Sequence, residues 1–192
     1  VLGSGAIDFA AFGAGYIAQA SITDSSGTTA IAGPPPTRQY DFEQARDKDG
    51  VLWLSTALGS WRRMNTVIPI NPVRAYDTRP LYGGPGTRAA GSVTDISIAG
   101  VIFRKQAVVS VPSDAIGVFG NLTALAPAAD GALTMFPTGA TLGQVNNLNY
   151  TKGVVAVSNF VMVPLGTGGK VSVYVSANGS TDFLFDVAGY IQ

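Results

Sequence analysis

The sequence contains no cysteine and no histidine. Without cysteine there is no disulfide, no thiol nucleophile and no thiolate metal ligand. Without histidine the usual general base and the commonest metal ligand are missing. Ser-His-Asp, Cys-His and His-metal hydrolysis are therefore excluded. Charge is also scarce: Asp, Glu, Lys and Arg make up 12% of the chain, about half the usual share of ~25%. The 12 basic and 12 acidic residues balance, so no electrostatic attraction favours nucleic acid or an anionic membrane. Apolar runs are broken by Gly, Asp or Asn well before the roughly 18 residues of a membrane span. Val1–Ala11 lacks the basic start of a secretory signal. Neither nucleic-acid binding nor membrane insertion is expected, and no cofactor or metal site is expected.

What the chain has in quantity is apolar residues, 46%, with 24 Gly and 11 Pro. That combination fits short strands joined by many turns. Three regions follow from composition. Residues 1–36 are rich in Ala, Gly, Ser and Thr, carry only Asp8 and Asp24 as charges, and end in Gly33-Pro34-Pro35-Pro36. They read as an extended N-terminal arm closed by a semi-rigid polyproline spacer. Residues 37–65 hold nine charges, namely Arg38, Asp41, Glu43, Arg46, Asp47, Lys48, Asp49, Arg62 and Arg63. They also hold a Trp53/Trp61 hairpin that follows the Asp49-Gly50 turn, too small to fold alone.

Residues 66–192 alternate apolar and polar positions. One face carries Ile116, Val118, Gly120, Leu122 and Ala124, and another Leu133 and Met135. A third carries Val155, Val157, Asn159, Val161 and Val163. Val171, Val173 and Val175 form a fourth, and Phe183, Phe185 and Val187 a fifth. Turns fall at Asp130-Gly131, Thr138-Gly139, Lys152-Gly153, Gly166–Gly169 and Asn178-Gly179. The reading is all-β: an antiparallel β-sandwich, jelly-roll-like, with the extended arm and the small β-hairpin connector attached. Val161-Met162-Val163, apolar on both sides, is expected in a central strand.

The chemical motifs are few. Phe12–Ala18 contains a Gly-x-Gly-x-x-Ala pattern, but neither an apolar strand before it nor an acid in place after it supports dinucleotide binding. Asp41, Glu43, Asp47 and Asp49 are interleaved with Arg46 and Lys48 and lack the closing Glu of a calcium loop. The only Glu is Glu43, so a glycosidase would have to work with two Asp. Asn121, Asn149 and Asn178 begin sequons; the first two lie inside strand patterns. The densest polar motif runs from Asn71 to Arg79. Arg74, Asp77 and Arg79 read either as a ligand site for a sugar or acidic group, or as a partly buried Arg–Asp cluster pinning the first strand, with Asp186 as a further partner. Tyr76, Tyr82, Tyr150 and Tyr174 are candidate sugar-stacking faces, or ordinary strand aromatics.

These segments resemble a β-domain common in actinobacterial surface proteins and in minor tail proteins of their phages. The resemblance rests on Asn71–Arg79 ("PxRxxDTR"), Asn121–Thr123, Gly131–Gly139 ("GxLTxxPxG"), Asn147–Tyr150 and Asp186–Tyr190 ("DVxGY"). Asp47–Arg63 is similar to a connector of phage tail and fibre proteins, with Ser55 where Cys is frequent. Val157-Ser158-Asn159 keeps only the Asn of the usual Ala-Asn pair. The resemblance implies a non-catalytic virion structural protein: a tail fibre, minor tail or capsid decoration protein, or head fibre. Residues 1–65 would join other virion proteins, and copies would form a homo-oligomer, a trimer by analogy with viral fibres. Localisation would be the virion surface. Two alternatives stand beside it: a secreted or cell-surface actinobacterial module that binds host envelope glycans, and an Asp-based glycosidase.

Overall fold

The computed structural model describes residues 20–21, 44–46, 51–57, 60–103 and 108–192. The chain divides into two compact units, Val1–Asn65 and Thr66–Gln192. In the first unit, β1 (Ala20–Ser21) pairs parallel with β2 (Gln44–Arg46). β2 pairs antiparallel with β3 (Leu52–Ala57), and β3 with β4 (Ser60–Arg63). The β3–β4 pair is the expected hairpin, with Trp61 opposite Ser55 and Trp53 opposite Arg63. The Gly-x-Gly segment, most of the arm and the carboxylates of the 41–49 stretch lie outside the described residues.

The second unit is all-β. Its strands are β5 (Val67–Asp77), β6 (Val93–Ser97), β7 (Ile102–Phe103), β8 (Val109–Ser110), β9 (Gly117–Leu125), β10 (Gly131–Pro137), β11 (Leu148–Tyr150), β12 (Ala156–Pro164), β13 (Lys170–Val175) and β14 (Asp182–Ile191). Eight of them build two antiparallel four-stranded sheets, β12-β9-β14-β5 and β11-β10-β13-β6, while β7 and β8 form a separate ribbon. Numbered one to eight in chain order, the sheets read 1-8-3-6 and 2-7-4-5. That is the doubled Greek-key order of a jelly roll.

The core lies between the sheets, supplied by the period-2 faces. Val118, Leu122 and Ala124 of β9, Leu133 and Met135 of β10, Val171, Val173 and Val175 of β13, and Phe183, Phe185 and Val187 of β14 all belong to it. Loops alternate between the two ends. The connections 78–92, 126–130, 151–155 and 176–181 share one end, tied by Arg88 N to Thr181 O (3.0 Å), Ala128 N to Ser180 O (2.9 Å) and Gly153 N to Pro127 O (2.9 Å). The chain enters and leaves at the other end, where Thr66 and Gln192 exchange backbone hydrogen bonds of 2.7 and 3.0 Å. The loop cluster is therefore distal to the junction at Asn65–Thr66.

One expectation is corrected. β12, which carries Val161-Met162-Val163, is an edge strand with β9 as its neighbour in the sheet. Val161 and Val163 enter the core, but Met162 points outward and is 52% exposed. Apolarity on both sides here marks an uncovered outer face, not a second layer. The central strands of this sheet are β9 and β14.

Candidate functional site

The polar motif lies where the first and last strands of the sandwich pair. On a regular strand Arg74 and Asp77, three residues apart, would point to opposite faces. Tyr76 pairs with Phe185, and the next residue, Asp186, pairs with Arg74. Ala75 is thus the extra residue of a bulge, which re-aims the strand so that Arg74 and Asp77 share the outer face. Asp186 sits directly across from Arg74 on that same face.

The four side chains form one hydrogen-bonded cluster. Arg74 Nε donates to Asp186 Oδ1, and Nη2 to Oδ2 at 3.1 Å. Arg74 Nη1 reaches Asp77 Oδ2 at 2.7 Å. Arg79 completes the set with Nε to Asp77 Oδ1 (3.0 Å), Nη2 to Oδ2 (2.8 Å) and its own backbone N to Oδ1 (3.1 Å). The Asp77 side chain has no solvent exposure, whereas Arg74 keeps 19% and Arg79 33%. Burial alone would push the Asp77 carboxyl up, but donation from the Arg79 side chain and backbone and from Arg74 holds it below the ordinary carboxylate value. Arg74 is raised by its hydrogen bonds to Asp186, against the opposing effect of burial. Gly84 folds over the carboxylate's backbone: a Cβ there would sit 2.1 Å from Asp77 O, so this turn requires glycine.

A second network, which the sequence reading missed, continues from the first. Thr78 Oγ1 donates to Asp182 Oδ1 (2.6 Å) and accepts from Phe183 N (3.0 Å). Thr87 Oγ1 donates to the other Asp182 oxygen at 3.0 Å. No local signal joins Thr78 to Asp182, because they are 104 positions apart.

The four tyrosines do not converge on one surface. Tyr76 packs against the core and stacks on Phe183, with ring centroids 5.6 Å apart and planes at 27°. Tyr150 is buried in the core. Tyr174 lies on the outer face of the second sheet, opposite Val93 and Thr134. Tyr82, 47% exposed, is covered on one face by the Arg79 guanidinium, 4.2 Å from the ring centroid, a cation–π contact. Tyr76 and Tyr150 turn inward, as strand aromatics, because their strand partners, Phe185 and Gly131, face the interior.

Tyr150 has a different relevance. Among the described residues four buried side-chain polar atoms lack a hydrogen-bond partner: Arg63 Nε, Arg88 Nε, Thr94 Oγ1 and the Tyr150 hydroxyl. Tyr150 also lines an open cleft of about 230 Å³ with Asn149, Thr151, Val154 and Val157. Among the described residues no group of three or more acidic side chains is placed to hold a metal ion, and no helix is long and apolar enough to cross a membrane.

A scan against protein-family models and a search of the curated proteins find no match. Asn71–Arg79 and Asp186–Tyr190 meet on the paired strands β5 and β14. In the second segment, Val187 pairs with Gly120 and Gly189 with Phe119, so Ala188 bulges out. The bulge turns Tyr190 as well as Val187 toward the core. Two of the segments that carry the resemblance, Asn71–Arg79 and Asp186–Tyr190, thus fasten the first and last strands of this unit to each other.

Proposed function

We propose that the chain is a non-catalytic structural protein of a phage particle: a tail fibre, minor tail protein, or capsid decoration protein or head fibre. Its jelly roll projects from the particle surface, and residues 1–65 attach it. The observation that carries this reading is the hydrogen-bonded Arg74–Asp77–Arg79–Asp186 cluster. Five N–H donors from Arg74 and Arg79 meet the carboxylates of Asp77 and Asp186 through side chains, and a backbone N–H adds to them. A carboxylate so occupied, and held in its ionised form, is suited to fastening strands. A glycosidase's acid needs the opposite, a raised pKa.

Two further features support the reading. Jelly rolls recur in viral capsid and lectin domains, an analogy of fold rather than of site. The domain also separates its chain entry from its distal loops, as a projecting module requires. The copies are proposed to form a homo-oligomer, a trimer by analogy with fibres.

Mass spectrometry of gradient-purified phage particles from an actinobacterial lysate encoding the chain tests this. The protein is expected in the particles at stoichiometric abundance. Recovery only in the soluble or cell-wall fraction would overturn the virion assignment. Light scattering on the purified full chain reads the oligomer number. An adhesion module for envelope glycans is the second reading, favoured by the distal cleft at Tyr150.

A further inference from the structure

We infer that the cleft between the free edges of β11 and β12 is a binding site for one uncharged sugar ring, most simply the terminal pyranose of an envelope glycan. The inference rests on the reading of the domain as a projecting surface module.

β11 ends one sheet and β12 ends the other, so the sandwich is open along this side. Asn159 Nδ2 bridges the opening by donating to Asn147 O at 2.6 Å. The cleft lies beyond that bridge, toward the distal loops. Its volume, about 230 Å³, falls below the roughly 300–1,000 Å³ of sites for drug-sized ligands. It has room for a single ring.

The lining has the chemistry a neutral hydroxylated ring needs. Val154 and Val157 supply an apolar wall, and Asn149 and Thr151 supply an amide and a hydroxyl. Among the described residues no charged side chain lines the cleft, which disfavours anionic and cationic ligands, since an ion there would lose water without gaining a counter-charge. Asn149 is oriented in advance: its Oδ1 accepts from Asn146 Nδ2 at 3.1 Å, which leaves Nδ2 to donate to a ligand hydroxyl. The distal turn is also fixed beforehand. Asp130 Oδ1 accepts from Lys152 N (2.7 Å), and Gly153 N donates to Pro127 O (2.9 Å). A site whose walls are held before binding spends less free energy on ordering.

The Tyr150 hydroxyl is the second observation. Among the described residues it has no hydrogen-bond partner, and it is buried in a residue that forms part of the cleft wall. A buried orphan of this kind costs stability and calls for a reason. The ring packs closely on Gly131, where a Cβ would lie 2.9 Å from both the hydroxyl and Cε2 of Tyr150. A ligand hydroxyl at the cleft would give this group its partner.

The test is saturation-transfer difference NMR on the full chain with methyl pyranosides of glucose, mannose, galactose and N-acetylglucosamine at millimolar concentration. Transfer to at least one of them is expected. Asn149→Ala should weaken that signal's affinity about tenfold, as for one lost hydrogen bond, and Val157→Phe should abolish it by filling the cleft. Tyr150→Phe should weaken binding while leaving the melting temperature equal or higher, an outcome a purely structural hydroxyl would not produce. No transfer to any of the four, from protein shown to be folded, would overturn the proposal. So would transfer that survives both Asn149→Ala and Val157→Phe, which would place binding elsewhere. Particle mass spectrometry reads the virion assignment separately, so either idea can fail without the other.

Discussion

Arg74 on the first strand of the sandwich and Asp186 on the last face each other across the β5–β14 ladder, 112 positions apart in sequence, joined by two side-chain hydrogen bonds. The pair exists only because Ala75 bulges out of register. It ties the strand at which the domain begins to the strand at which it ends, and Asp77 extends the tie to Arg79.

Asp77→Ala should be the most damaging change in this cluster. It leaves Arg74 and Arg79 facing one another over a site whose carboxylate had no exposure. The expected loss is about 2–4 kcal/mol, below the ~3–5 kcal/mol of fully buried pairs because both arginines retain some water contact. Urea unfolding of the two proteins measures it. A loss under about 0.5 kcal/mol, typical of surface changes, would mean the cluster does not fasten the strands.

The same carboxylate gives the domain an acid sensitivity of defined sign. The folded-state pKa of Asp77 is lowered, whereas the unfolded value is about 3.9. The stabilisation is therefore fully present above about 3.9 and is lost as pH falls through the lower folded value. Across that acid range the urea midpoint of the wild type should fall toward that of Asp77→Asn. Parallel curves for the two proteins would assign the acid response to other carboxylates.

Thr78→Val tests the adjoining network with almost no change of shape. It removes the acceptor for the buried Phe183 N–H and the donor to Asp182. An orphaned buried N–H costs about 1–3 kcal/mol, readable as a lowered melting temperature. Asp182→Asn should cost less, because an amide oxygen can still accept from Thr78 and Thr87.

Gly189→Ala should destabilise through crowding. The added Cβ would lie 2.0 Å from Phe119 Cζ and 2.5 Å from Ile68 O. The ring can turn away, but the backbone oxygen cannot, so Phe119→Leu should rescue the variant only in part. Overpacking of this type costs about 1–3 kcal/mol. Full rescue by Phe119→Leu would show that the ring alone sets the constraint.

Much of the fold was legible because strand faces repeat every second residue. Val171, Val173 and Val175 share one period-two face and Phe183, Phe185 and Val187 another, and all are 0% exposed. The same rule misled at Val155, which continues the parity of Val157–Val163 yet is 85% exposed, because it precedes β12 in the distal turn. It also made a central strand of β12, since periodicity reports which residues are apolar but not whether a neighbouring strand covers them. Tyr76 and Tyr150 carried no mark in the sequence to distinguish a core aromatic from a surface one.

The sequence by itself determined the chemistry that was absent, the β-class of residues 66–192, and the residue types that meet in the Arg–Asp cluster. These follow from composition and from period-two patterning, which are local. The tertiary structure decided the 1-8-3-6 and 2-7-4-5 strand orders, the bulges at Ala75 and Ala188, and the cleft formed by two edges from different sheets. Each of these depends on pairing between strands far apart in the chain. The register that brings Arg74 to Asp186 is set by how the two sheets bury their faces together, and neither strand carries that information alone.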